Sequence, residues 1–192
     1  MTVGVLALQG AVREHAAVLR ALGREVCLAR RPADLVGLEG LVLPGGESTA
    51  IARLARPSGL LTAIRDRMDE GLPVFGTCAG LILLADDVAD PAALAGLPTI
   101  GGLNVTVRRN AFGAQLASGE AEVALPGQGA PSSMRGVFIR APRIERVGAG
   151  VEVLATRGDE PVAVRQGAVV ACTFHPELVP DPTLHRLWLG GV

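Results

Sequence analysis

The chain has 192 residues, 49% of them hydrophobic and only 3% aromatic, with 25 glycines and a formal net charge of −1. That length suits one well-buried core, so a single domain over residues 1–192 is expected, built from Val, Leu, Ile and Ala in the manner of a helix-covered parallel sheet. There is no block of like charges to attract nucleic acid or a membrane surface, no apolar run near the ~20 residues that span a bilayer, and no disulfide or metal-ligand spacing among the three cysteines.

Residues 3–8 read as a buried strand rather than a signal peptide, since no basic leader precedes them, and a cytoplasmic location follows as an expectation. Residues 12–22 have a helical apolar face of Val12, His15, Ala16, Leu19 and Leu22, stopped by Gly23, with His15 read as a packed histidine. Residues 26–29 and 40–43 are two more strands, and the second runs into Pro44-Gly45-Gly46-Glu47-Ser48-Thr49, where Ser48 or Thr49 can cap the next helix. A helix over 60–70 ends at Gly71, and Pro73-Val74-Phe75 forms the strand before Gly76-Thr77-Cys78-Ala79-Gly80 and a helix over 79–85. Strands alternating with helices predict right-handed βαβ units and a doubly wound sheet with helices on both faces. From about Asn104 short β-branched runs at 105–107, 137–139, 151–154, 162–164 and 169–174 replace this rhythm. They predict added, partly antiparallel strands, with loops at 89–96 and 126–133 and a last helix over 182–189.

A cysteine between two glycines at a strand-to-helix turn is the thiol form of the nucleophile elbow. Side chains at Gly76 and Gly80 would collide with neighbouring backbone, and the helix start suits a thiolate nucleophile at Cys78. His175-Pro176-Glu177 follows another apolar run. In an extended segment the side chains of His175 and Glu177 share one side, so Glu177 can orient His175 while His175 faces Cys78. The backbone N–H of Ala79 and one from Gly45-Gly46, at the carboxyl edge of the sheet, are the candidate oxyanion donors. Cys27 and Cys172 lie in strand-like runs and read as core residues.

These blocks resemble the class I (triad) glutamine amidotransferases, and within them the glutaminase subunits of pyridoxal 5′-phosphate synthase, the PdxT type. The resemblance rests on Gly4 to His15, Leu43-Pro44-Gly45-Gly46-Glu47-Ser48-Thr49, Phe75 to Leu81, Arg109-Asn110-Ala111-Phe112-Gly113, Gly136 to Pro142 and Phe174-His175-Pro176-Glu177-Leu178. It implies a Cys78, His175, Glu177 triad that hydrolyses L-glutamine through a glutamyl thioester, with Gly46, Glu47, Ser48, Arg109, Ile139 and Arg140 lining the substrate site. It also implies that ammonia passes to a PdxS-type synthase subunit in a hetero-oligomer, with no cofactor or metal on this chain. Ala114 and Arg143 stand where the family often has Arg and His. A glutaminase serving a different synthase, or a non-catalytic subunit on the same fold, are the competing readings.

Overall fold

The structure, a computed structural model, describes residues 1–94, 96–109, 119–127 and 132–190. The Asn110 to Gly113 block, Ala114, and parts of the predicted loops at 89–96 and 126–133 lie outside the described residues. The first half alternates as expected: β1 (Thr2–Leu6), α1 (Val12–Ala21), β2 (Glu25–Ala29), β3 (Gly40–Leu43), α2 (Ser48–Ala55), α3 (Leu60–Asp69), β4 (Val74–Thr77) and α4 (Ala79–Leu84). The chain continues through β5 (Ala85–Val88), β6 (Leu103–Arg108), β7 (Gly119–Ala124), β8 (Ser133–Phe138), β9 (Arg143–Val147), β10 (Glu152–Arg157), β11 (Glu160–Gln166), β12 (Val169–Cys172) and α5 (Thr183–Leu189).

The main sheet has nine strands in the order β2-β1-β3-β4-β12-β11-β10-β7-β8. The first five pair in parallel and the rest antiparallel. Side chains of the parallel strands alternate between two cores, as a sheet buried on both faces requires. Leu41, Leu43 and Val74 face one cluster with Ile51, Leu60 and Leu81 of α2, α3 and α4. Val3, Val5, Val42 and Phe75 face the other, with Leu19 of α1 and Leu184 and Trp188 of α5. The antiparallel end curls round: Val137 of β8 pairs with His175, just past β12, and the Phe138 and Phe174 rings meet at 5.3 Å between centroids. A three-stranded sheet, β5-β6-β9, stands apart from the main one.

Three strands were not foreseen, β5, β7 and β9. Ala85 leaves the predicted helix to begin β5, and β7 and β9 carry Glu120, Glu122, Arg143 and Glu145 at exposed positions that dilute the apolar alternation. Arg143 pairs with Glu160 of β11 at 2.8 Å. No helix among the described residues is long and apolar enough to cross a membrane.

Candidate active site

Chain order runs outward from β1 to β2 and then returns to β3 and β4 on the other side, so a crevice opens beyond the carboxyl ends of β1 and β3. Loops Gln9-Gly10-Ala11 and Gly45-Gly46-Glu47-Ser48 form its walls, and Cys78, His175, Arg109, Ile139 and Arg140 complete a cleft of about 310 Å³. Every described residue assigned to the site from sequence is in or directly behind this cleft.

Cys78 sits between β4 and α4 at φ 47° and ψ −98°. A non-glycine residue in that region is strained, and it is held there by hydrogen bonds on both sides: its N–H donates to the Cys172 carbonyl at 2.8 Å, and its carbonyl accepts from Ile82 at 3.3 Å. The two flanking glycines are required sterically. A Cβ on Gly76 would lie 2.6 Å from Leu84 Cδ1 and 2.8 Å from the Gly80 carbonyl carbon, and one on Gly80 would run into the Leu43 carbonyl oxygen. Ala79 is the first residue of α4, so its N–H, next in the chain to Cys78, has no intrahelical acceptor.

His175 Nδ1 meets Glu177 Oε1 at 2.7 Å. The connection is a 3₁₀ turn over Pro176–Leu178, not the extended segment expected. Pro176 starts that turn, where its fixed φ and missing N–H are tolerated, and the tight turn swings Glu177 back under the ring. Burial alone would lower the pKa of His175. Its hydrogen bonds to Cys78 and Glu177, with their charges, more than offset this and raise it to about 10. An imidazolium therefore faces the Cys78 sulfur at neutral pH. The ring also needs Gly45, whose Cβ would lie 2.7 Å from His175 Nδ1.

The Gly45-Gly46 loop is held at three points. Gly45 N–H donates to Thr77 Oγ1 at 2.8 Å, the Gly45 carbonyl accepts from Ala11 at 3.0 Å, and Glu47 N–H donates to Gln9 Oε1 at 2.7 Å. Because a trans peptide sets N–H opposite C=O, the Gly46 N–H points away from Ala11, and it has no acceptor among the described residues.

Glu47, rather than Ser48 or Thr49, caps α2. Its carboxylate accepts from the N–H groups of Thr49 and Ala50 and from the Thr49 hydroxyl. A longer acidic side chain reaches the first-turn donors as well as a hydroxyl does, and the helix dipole favours its charge. The same carboxylate binds Arg109 Nη2 at 3.1 Å, while Arg109 Nη1 and Ser48 Oγ are buried with no partner among the described residues. Ile139 and Arg140 lie on the turn after β8, and Arg140, at φ 45°, is the second strained non-glycine residue of the cleft. Cys172 is an inert core thiol, its pKa pushed well up by burial and by the charge of Glu177, whereas Cys27 is half-buried.

The sequence profile of the SNO glutamine amidotransferase family matches residues 5–189. The chain belongs to that family. Among the SNO glutamine amidotransferases and their kin, it is 54% identical over 187 residues to the pyridoxal 5′-phosphate synthase subunit PdxT of Parafrankia sp. (strain EAN1pec), covering 97% of this chain and 91% of that one. It is 52% identical over 193 residues to the PdxT of Mycolicibacterium vanbaalenii, covering 99% and 97%. A solved glutamine amidotransferase, 50% identical, superposes with a TM-score of 0.90 over 98% of this chain and 97% of that one. Another, from Thermotoga maritima and 15% identical, shares the fold at a TM-score of 0.61 over 98% and 80%.

Sequence reasoning missed one layer of this SNO-family site. Behind Glu177 lie His15 of α1, Thr77 of β4 and His185 of α5, all buried. Burial, then the charges of His185 and His175, lowers the pKa of His15 well below the ordinary value, and burial lowers that of His185 to about 4. Unfolded histidines titrate near 6.5, so the unfolded chain takes up protons first as the pH falls. The stability contributed by the two neutral rings is present above about pH 6.5 and is lost as the pH falls toward 4. Urea unfolding at pH 7, 6 and 5 should show stability dropping by up to about 1.4 kcal/mol per pH unit for each ring. A flat profile across this window would mean that neither ring is held neutral.

Proposed function

We propose that Cys78, His175 and Glu177 are the triad by which this chain, the glutaminase subunit of a pyridoxal 5′-phosphate synthase, hydrolyses L-glutamine. The observation that carries this is the line Glu177–His175–Cys78 at a cleft lined by Cys78, His175 and the Gly45-Gly46 loop.

The sulfur attacks the carboxamide carbon, and the developing oxyanion is received by Gly46 and Ala79. His175, protonated on the nitrogen facing the sulfur, gives that proton to the departing amide nitrogen, which leaves as ammonia and a glutamyl thioester remains. Neutral His175 then takes a proton from water, the hydroxide attacks the thioester, and glutamate departs as the sulfur is released beside an imidazolium again. Glu177 keeps Nδ1 protonated throughout. Arg109 Nη1, oriented by Glu47, and Ser48 Oγ receive the α-carboxylate and amino end of the substrate, a role supported by their buried, unpaired state. Ile139 and Arg140 also line the substrate cleft.

Residues 1–192 act as one glutaminase domain, in the cytoplasm, and the ammonia is delivered to a PdxS-type synthase subunit, the partner implied by the PdxT name of the relatives. That partner docks over the mouth of the cleft and stabilises the orientation in which Gly46 N–H faces the substrate. A single oxyanion donor is worth about 10²–10³ in turnover, which sets the ceiling for activation. Glutamine hydrolysis by the free chain is expected to rise by up to that factor when the synthase subunit is saturating. Equal turnover in the two states would leave the Gly45-Gly46 loop as a static turn.

A further inference from the structure

Glu177 is buried in full, and its two oxygens are served unequally. Oε1 holds His175, whereas Oε2 has no hydrogen bond among the described residues. An ionised oxygen left in that state is costly, and a carboxylate with one free oxygen can pivot. The polar atom placed to meet it is His15 Nε2, at 3.4 Å. The same nitrogen lies 3.1 Å from Thr77 Oγ1, which accepts the N–H of Gly45. His15 thus stands where the carboxylate of the triad and the glycine loop of the oxyanion site come together.

The position of its proton follows from His185. His15 Nδ1 and His185 Nε2 are 3.0 Å apart, and His185 Nδ1 is buried without a partner among the described residues. A proton on His185 Nδ1 would be an orphaned buried donor. With the proton on Nε2 it is donated to His15 Nδ1, and only a bare lone pair is left behind. His15 Nδ1 is then an acceptor, so the proton of a neutral His15 resides on Nε2, between Thr77 and Glu177. The titratable groups facing His15 are Glu177 and His175 from the segment after β12 and His185 from α5; Phe75 of β4 covers it edge-on, with centroids 6.2 Å apart.

We propose that His15 is a positioning residue of the glutaminase site, its Nε2–H serving the second oxygen of Glu177 and, through Thr77, the Gly45 loop, with His185 setting its tautomer. This rests on the triad reading above. The contact to Glu177 is long in the unliganded site and shortens as substrate binds, as catalytic hydrogen bonds commonly do.

The test compares two amides in the chain saturated with its synthase subunit. His15→Gln places an amide N–H near the position of Nε2, and His15→Asn stops short of it. Asn should lower kcat about 10- to 100-fold with KM little changed, the range for outer groups that orient a functional ligand. It should also move the acid limb of the kcat profile up by about one pH unit, because a carboxylate with one donor fewer acts more strongly on His175, whose pKa it already raises. Gln should restore most of both. Equal kcat and an equal acid limb in the two variants would overturn the proposal. Should a His15 variant not fold, His185→Leu carries the same question from α5: freeing the tautomer should cost several-fold in kcat and move the limb the same way, and an unmoved limb would overturn it. Cys78→Ser run alongside separates the two levels. If that variant retains turnover the site assignment itself fails; if it is dead while the histidine variants match the parent, only the role of His15 fails.

Discussion

Cys78→Ser is expected to abolish glutamine hydrolysis, a loss of about 10⁴-fold or more in ammonia release by the chain saturated with its synthase subunit. The electrostatics of the site make this a severe change. A serine hydroxyl is a far weaker acid than a thiol, and the substitution also removes one of the two contacts that raise the pKa of His175, so the pairing around which the site is built is lost. A thiol is also intrinsically the more acidic and more nucleophilic group, and a hydroxyl in its place supplies neither property. His175→Ala should be comparably damaging. Glu177→Gln should be milder, since an amide oxygen can still accept from Nδ1 while losing the charge that favours the imidazolium. Near-normal turnover in Cys78→Ser would sink the assignment of the nucleophile, and a Glu177 variant worse than His175→Ala would mean that the roles are exchanged.

Gly45→Ala is the second large effect, expected to lower kcat about 10²-fold or more while the fold persists. The new Cβ would lie 2.7 Å from His175 Nδ1, inside the closest approach real Cβ atoms make. The ring has little room to retreat, because its Nδ1 is held by Glu177 and its backbone N–H by the Val137 carbonyl at 2.8 Å. It must turn away from Cys78, and misplacement by about 1 Å costs a factor on the order of 10². Circular dichroism should remain native as turnover falls. Parent-like activity would show that the imidazole does not rest against Gly45. The neighbouring change, Gly46→Ala, reads out something different. Its Cβ would displace the Gln9 carboxamide that holds Glu47 N–H, so it loosens the loop and is no clean measure of which way the Gly45-Gly46 peptide points.

Between them these two substitutions separate what is local from what is not. The elbow was legible because its constraint is local: glycines at 76 and 80 are needed wherever a strand turns this sharply into a helix, and the structure meets both with backbone in the way. The His-Pro-Glu unit was legible as a contact between two side chains and misread as geometry. Glu177 does reach His175, but through a 3₁₀ turn, since proline is as well suited to open such a turn as to extend a chain. The α2 cap was assigned to Ser48 or Thr49 because hydroxyls are the common capping groups, whereas the Glu47 carboxylate both caps the helix and holds Arg109 from β6's end, 62 residues away.

The amino-acid sequence by itself determined the α/β alternation of the first half, the cysteine elbow and the His-Pro-Glu segment proposed as nucleophile and base, and the loops that meet at the carboxyl edge of the sheet. All of these depend on periodicity, turn chemistry or spacing within a few residues. Only the tertiary structure decided what stands behind them. β8 returns to pair with His175, Gly45 clears space for an imidazole 130 positions later, and His15, Thr77 and His185 meet under Glu177 although 170 residues separate the two histidines. A histidine on the buried face of a helix reads the same whether it packs against leucine or against a carboxylate. Which of these it meets depends on the elements that the fold stacks against it, and no local pattern records that.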